Sequence, residues 1–171
     1  MPFDKSALLG FLEEVDRELG RRITPVAVGG TAMTLLGVKP STIDVDFTIP
    51  SLYYREFQRA LKATPHGFRI DCWRNGMVFS QVPPEDYLKK ARTIDAGMRN
   101  IALKALHPVD IVVTKVGRLD ERDIQDIEAC IRKFKLTKDK IARRGKQIQY
   151  VGYEENYKAN LGYVLKKFFQ K

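Results

Sequence analysis

Two aspartates, Asp44 and Asp46, alternate with apolar residues in the segment IDVDFTI, residues 43–49. In a strand, side chains two residues apart share a face, and their α-carbons lie roughly 6.6 Å apart. Carboxylates at that spacing can converge on one cation. Burying both without a cation raises at least one pKa and costs stability. A divalent ion removes the conflict, and an all-oxygen donor set selects Mg²⁺ or Mn²⁺. The alternative is an exposed strand face on which both carboxylates meet water. The pair alone does not decide between the two.

A glycine pair precedes the aspartates. Gly29-Gly30-Thr31 follows a short apolar run and opens a helical pattern. Glycine at such a turn lets the backbone approach a phosphate, the helix N-terminus offers free N–H groups, and Thr31 adds a hydroxyl. The alternative is a tight turn that needs positive φ. A P-loop is excluded, because GVKPST lacks the G-x-x-x-x-G-K-[ST] spacing.

Together these features resemble a known signature. The run VGGTAMTLLGVKPSTIDVDF is similar to that of the DNA polymerase β-like nucleotidyltransferases: a hydrophobic residue, Gly-Gly or Gly-Ser, a gap, then Asp-x-Asp. Here 13 residues separate Gly30 from Asp44. The detail GGTA…L.G.K..T.DVDF, with Thr42 opening T-x-D-x-D, resembles a small prokaryotic branch that includes abortive-infection type toxins. Lys39 stands where that branch commonly has arginine. The family places a third carboxylate on a later central strand, and Asp71 in FRIDCW matches it. Asp95, in an expected loop, is the second candidate. Downstream, the branch often carries TKL.R….RD..DI, which stands here as TKVGRLDERDIQDIEACI, Thr114 to Ile131.

The resemblance spans about Val26 to Ile131 and implies a metal-dependent nucleotidyltransferase. Asp44, Asp46 and Asp71 would be both the catalytic and the metal-binding set, with Mg²⁺ or Mn²⁺ as cofactor. Gly29, Gly30, Thr31, Thr42, Lys115, Arg122 and Asp123 would form the nucleotide site. Lys115 would reach the phosphates with Arg118 or Arg122 assisting, while Asp123 and Asp126 orient the basic groups. Arg122 and Asp126 are equally an i,i+4 helix pair that needs no ligand. The acceptor hydroxyl could belong to an RNA or tRNA 3′ end, a protein or a small molecule. A rival reading is a catalytically silent nucleotidyltransferase fold, serving as an antitoxin-like or RNA-binding module.

The elements that must position these residues are legible in outline. Apolar spacing predicts a first helix capped by Asp4 or Ser6 and ended by Gly20. A buried strand at 25–28 and a helix at 31–36 follow. A strand at 43–49 has Ile43, Val45, Phe47 and Ile49 inward. Ser51 then caps a helix reaching Ala63. Strands are expected at 68–73, 78–84 and 98–106, and helices from Pro108, from Asp120, at 137–150 and at 154–169. This order predicts an α+β fold: a nucleotidyltransferase-like mixed sheet flanked by helices, then a helical C-terminal part. The expected division is 1–118 and 119–171.

Charge separates the two parts. The net charge is +9, yet residues 1–130 carry 18 basic and 18 acidic groups, and residues 131–171 carry 12 and 3. A surplus confined to one end makes a local field that attracts polyanions such as RNA. The alternative is a solvated helical face. No run reaches the length of a membrane span and no signal-peptide pattern opens the chain, which predicts a soluble cytoplasmic protein. Cys72 and Cys130 have no metal-ligand spacing and read as buried free thiols. His66 and His107 are too isolated for zinc. Tyr150, Tyr153, Tyr157 and Tyr163 read as packing residues rather than base-stacking ones, and Phe168 and Phe169 as docking the last helix.

Overall fold

Five short strands form the sheet that carries the aspartates, and helices cover it. The computed structural model describes residues 2–170. Helix α1 (Lys5–Arg17) buries Leu8, Phe11, Leu12 and Val15 on one face, and the Asp4 carboxylate caps it by accepting from the Ala7 N–H at 2.8 Å. Strand β1 (Val26–Ala27) runs into α2 (Gly29–Leu35), and β2 (Val45–Ile49) into α3 (Ser51–Ala63). Next come β3 (Ile70–Arg74), β4 (Gln81–Val82), the one-turn α4 (Tyr87–Lys90), β5 (Arg92–Thr93) and β6 (Lys104–Ala105). Helices α5 (Pro108–Lys115), α6 (Glu121–Phe134) and α7 (Lys138–Lys146) precede β7 (Gln149–Tyr150) and α8 (Glu154–Phe169).

The main sheet has the order β3-β2-β1-β6-β5. β1 is antiparallel to β2 and parallel to β6, β2 is parallel to β3, and β5 is antiparallel to β6. β4 and β7 form a separate antiparallel pair. This is the expected α+β architecture of a mixed sheet flanked by helices with further helices at the C-terminus. No helix of the described residues is long and apolar enough to cross a membrane.

Several expected bounds shift for physical reasons. The strand begins at Val45, not Ile43, and Ile43 is 62% exposed instead of packed inward. All five residues of β2 are buried, so it has no solvent face. The Thr48 hydroxyl on its polar side accepts from the Gly76 N–H at 2.9 Å. Pro50 is the N-cap of α3, while the Ser51 N–H donates to Asn75 Oδ1 at 2.9 Å. Helix α1 stops at Arg17, before Gly20. The expected strand at 98–106 reduces to β6 and a bridge between Ile23 and Ile101.

The C-terminal helices lock onto α5. Arg144 of α7 is 6% exposed and pairs with Asp110 of α5, itself fully buried, and with Asp86 at 2.8 Å. The Tyr157 hydroxyl of α8 donates to the Val113 carbonyl at 2.6 Å, and Asn160 Nδ2 to that of Val116 at 2.9 Å. Tyr157 is therefore a packing residue and Tyr150 lies against it, ring centroids 5.7 Å apart. Tyr153 and Tyr163 are exposed, contrary to expectation. The buried stripe of α8 runs Tyr157, Leu161, Val164, which leaves Tyr163 off the packed face.

Removing one member of a buried ion pair strands the other charge, which costs about 3 to 5 kcal/mol. Arg144→Met should lower the denaturant-derived stability by that order, and the double variant Asp110→Leu/Arg144→Met should recover most of the loss. Equal destabilisation of the single and double variants would contradict this account of the α5–α7 contact.

Candidate active site

The turn between β1 and α2 is shaped by two different constraints. Gly29 has φ +53°, a left-handed conformation that side chains resist, and a Cβ there would lie 3.7 Å from Asp46 Oδ2. Gly30 is required by proximity instead. A Cβ on it would come within 2.8 Å of Thr42 Oγ1. The Gly29 backbone therefore runs close to the Asp46 carboxylate, and that of Gly30 against Thr42.

Two threonines hold those aspartates in place. Thr31 Oγ1 donates to the Asp44 carbonyl at 3.1 Å and accepts from the Asp46 N–H at 2.9 Å. Thr42 Oγ1 donates to the same carbonyl at 2.8 Å. Thr31 is fully buried with its hydroxyl committed to this clamp, so it positions the aspartates and offers no donor to the cleft. The clamp also explains why β2 starts late: the Asp44 carbonyl is held by hydroxyls, and Asp44 sits exposed at a bend just before the strand. Phe3 bridges Thr42 through two backbone hydrogen bonds, of 2.6 and 2.8 Å.

Asp71 lies beside Asp46. The parallel register of β2 and β3 makes the two residues direct partners, on one face of neighbouring strands. Its Oδ2 is 2.9 Å from Arg69 Nε. Asp46 is 7% exposed and, among the described residues, is in none of the ion pairs of this region. Burial first, then the charges of Asp71 and Asp44, push its pKa up to about 7, outweighing the opposing pull of Lys115 and Arg69. Asp71 borders Asp46 without itself lining the cleft, and Asp95 is exposed after β5 and does not line it either.

A basic wall faces this acidic one across a cleft of about 340 Å³. Lys115, the last residue of α5 and 7% exposed, places Nζ 3.2 Å from Asp123 Oδ1 and 2.9 Å from Asp126 Oδ2. Arg118 grips Asp123 with Nε at 2.7 Å and Nη2 at 2.8 Å. Lys39 reaches Asp126 at 3.1 Å. Asp123 is fully buried and also closes the capping box of α6 with Asp120. Burial would raise its pKa, but Arg118 and Lys115 together hold it below the ordinary carboxylate value. Asp123 thus organises the basic groups. Arg122 is exposed and lines the cleft, and among the described residues it joins none of the ion pairs. The expected Arg122–Asp126 helix pair is absent there because Asp126 is taken by Lys39 and Lys115.

Sequence reasoning gave Lys39 no role and passed over Phe79, yet both line the cleft. The signal for Lys39 was its place just before T-x-D-x-D; Phe79 gave none. The histidines do other work: His107 Nδ1 accepts from the Val109 N–H at 3.1 Å and caps α5. Cys130 is buried and Cys72 partly so, and burial pushes both thiols up to about 12, away from reactive thiolate.

The donor chemistry fits a hard divalent cation. Asp44, Asp46 and Asp71 supply only carboxylate oxygens, and the raised Asp46 marks a place short of positive charge. Among the described residues no three such groups stand as a ready-made metal cage. Mg²⁺ does not need one, since it commonly binds through one or two carboxylates, waters and substrate phosphates.

A family model described as "Nucleotidyltransferase of unknown function (DUF6036)" matches residues 6–166. No curated protein and no solved structure matches the chain.

Asp46 gives a pH signature in the metal-free protein. Its folded pKa lies above the ordinary 3.8, so between 3.8 and about 7 the folded chain holds a proton that the unfolded chain has released. Its favourable contribution is complete below 3.8 and lost as pH rises through about 7. With chelator present, Asp46→Asn should stabilise the protein above pH 8 by on the order of 3 kcal/mol, and hardly at all near pH 4. A variant no more stable than wild type at the higher pH would contradict the charge crowding.

Proposed function

The chain belongs to this nucleotidyltransferase family, and from that premise we propose that it moves a nucleoside monophosphate from a nucleoside triphosphate to a hydroxyl acceptor. One observation carries the reading: Asp44 and Asp46, with Asp71 the strand neighbour of Asp46, face four basic side chains across a nucleotide-sized cleft that the two of them line and Asp71 borders. The triphosphate lies over the Gly29–Gly30 backbone, its charge met by Lys39, Lys115, Arg118 and Arg122. Lys115 has three N–H donors and gives two to Asp123 and Asp126, leaving one for a phosphate oxygen. Arg122 is the most available of the four.

Asp44 and Asp46, with Asp71 beside them, would hold Mg²⁺ or Mn²⁺, which when bound offsets phosphate charge and polarises the reacting phosphoryl group. Asp71 takes the proton of the acceptor hydroxyl as its oxygen bonds to the α-phosphorus. The bond between the α-phosphorus and its bridging oxygen breaks, and pyrophosphate leaves. The exposed Lys138, Lys140, Arg143 and Lys146 of α7 favour a polyanionic acceptor such as an RNA or tRNA 3′ end. Arg144 belongs to the interior instead. A protein or small-molecule hydroxyl is the other acceptor class, and a toxin-like role in the prokaryotic branch would fit either.

A second reading, a silent nucleotidyltransferase fold that only binds RNA or a partner, is favoured by one feature. Lys115 and Arg118 already pair with Asp123 and Asp126, and Arg69 with Asp71, so the basic wall is balanced without a phosphate.

Label transfer from α-³²P triphosphates to total RNA or protein, in Mg²⁺ or Mn²⁺, separates the readings. Asp44→Ala and Asp46→Ala should each lower transfer by at least about a hundredfold with folding intact. Undiminished transfer in both variants would overturn the mechanism. No transfer by wild type, with salt-sensitive RNA binding indifferent to both substitutions, would favour the silent module.

A further inference from the structure

Phe79 lies in the wall of the same cleft, and its backbone is not one that phenylalanine favours. Its φ is +54°, in the left-handed region where a bulky side chain is strained. The Val78 N–H donates to the Gln81 carbonyl at 2.9 Å, and the Gln81 N–H to the Val78 carbonyl at 3.0 Å. Phe79 and Ser80 are therefore the two central residues of a tight hairpin loop. Glycine is the residue that takes positive φ at the first of these positions without penalty. The surroundings hold the strained conformation firmly. The Val151 N–H donates to the Ser80 carbonyl at 2.8 Å, and the buried Gln81 side chain accepts from the Gly117 N–H at 3.2 Å.

What the phenylalanine adds is a flat aromatic surface in a cleft whose other apolar side chains, Pro2 and Ile43, are aliphatic. The residue is 38% exposed. The Trp73 ring packs tilted against it with centroids 5.0 Å apart, and the Arg118 guanidinium lies over the ring, 4.8 Å from its centroid. Arg118 is held by its two hydrogen bonds to Asp123, which fix its guanidinium over the ring. A rigid aromatic ring flanked by an oriented guanidinium is a surface suited to a nucleobase.

We propose that Phe79, with the Arg118 guanidinium lying over it, forms the stacking platform for the nucleobase of the bound triphosphate. The inference rests on the triphosphate reading above and adds where the base lies. The platform favours purines, whose larger faces cover more of the ring.

Calorimetric titration of the full chain in Mn²⁺ tests it, using ATP, GTP, CTP, UTP and inorganic tripolyphosphate. Phe79→Leu keeps the strain and most of the bulk but removes the aromatic face, whereas Phe79→Tyr keeps the face. Wild type should bind a purine triphosphate more tightly than tripolyphosphate. Phe79→Leu should weaken that nucleotide about tenfold and leave tripolyphosphate unchanged, and Phe79→Tyr should retain wild-type affinity. Phe79→Gly, which relieves the positive φ, should repeat the Leu result with a folded loop.

Nucleotide affinity unchanged in Phe79→Leu and Phe79→Gly overturns the platform, as does an equal loss for tripolyphosphate. If wild type binds tripolyphosphate and every nucleotide alike, the platform falls while the triphosphate site stands. If it binds neither, both fall.

Discussion

Asp46 is a carboxylate that the fold buries beside two others, and the positive charge around it does not balance the crowding. Much of the core serves to keep it there. The sheet register fixes Asp71 next to it, the two threonine hydroxyls fix the backbone of Asp44 and Asp46, and Gly29 keeps the space under its oxygens open. Packing alone would favour an apolar residue at the start of such a strand, because a lone buried carboxylate costs free energy that no contact here returns. A site kept at that cost is suited to a cation that arrives with its ligand.

The opposite wall solves the reverse problem. Lys115 is buried at the end of α5, and Asp123 and Asp126 neutralise it from α6. Asp123 also takes Arg118 and the cap of its own helix, so one carboxylate ties the end of α5 to the start of α6 and directs two cations. This couples fold and site: a helix cap, normally a local matter of about 1 kcal/mol, is here built from the group that aims the basic wall. The two walls differ in kind. The acidic one is short of counter-charge, and the basic one is internally balanced except for Arg122.

Elements with a long period were readable in the sequence, and contacts across the chain were not. Helix α8 has the expected bounds, and α3 the expected end with its start one residue early, because their apolar spacing runs over three turns or more. The two-residue strands β5 and β7 carry no period and left no trace. The glycine pair and Asp46 stood out by type and spacing, and Lys115 and Asp123 through the resemblance of TKVGRLDERDIQDI to the family pattern. The neighbouring of Asp46 and Asp71 depended on β2 pairing with β3 in parallel, which no local pattern encodes. Thr31 looked like a phosphate donor until its hydroxyl was seen clamping Asp44. Ile43 continued an alternation that the same clamp interrupts. Phe79 was invisible because its importance lies in a backbone angle.

The proposed site takes a divalent cation at its carboxylates together with a triphosphate. The most direct measurement is thermal unfolding of the wild-type chain with Mg²⁺ or Mn²⁺, each of the four ribonucleoside triphosphates, and both together. The account predicts a stabilisation that is largest when metal and triphosphate are present together and that chelator abolishes, since only the native state binds them. A melting temperature unmoved by any combination would contradict it.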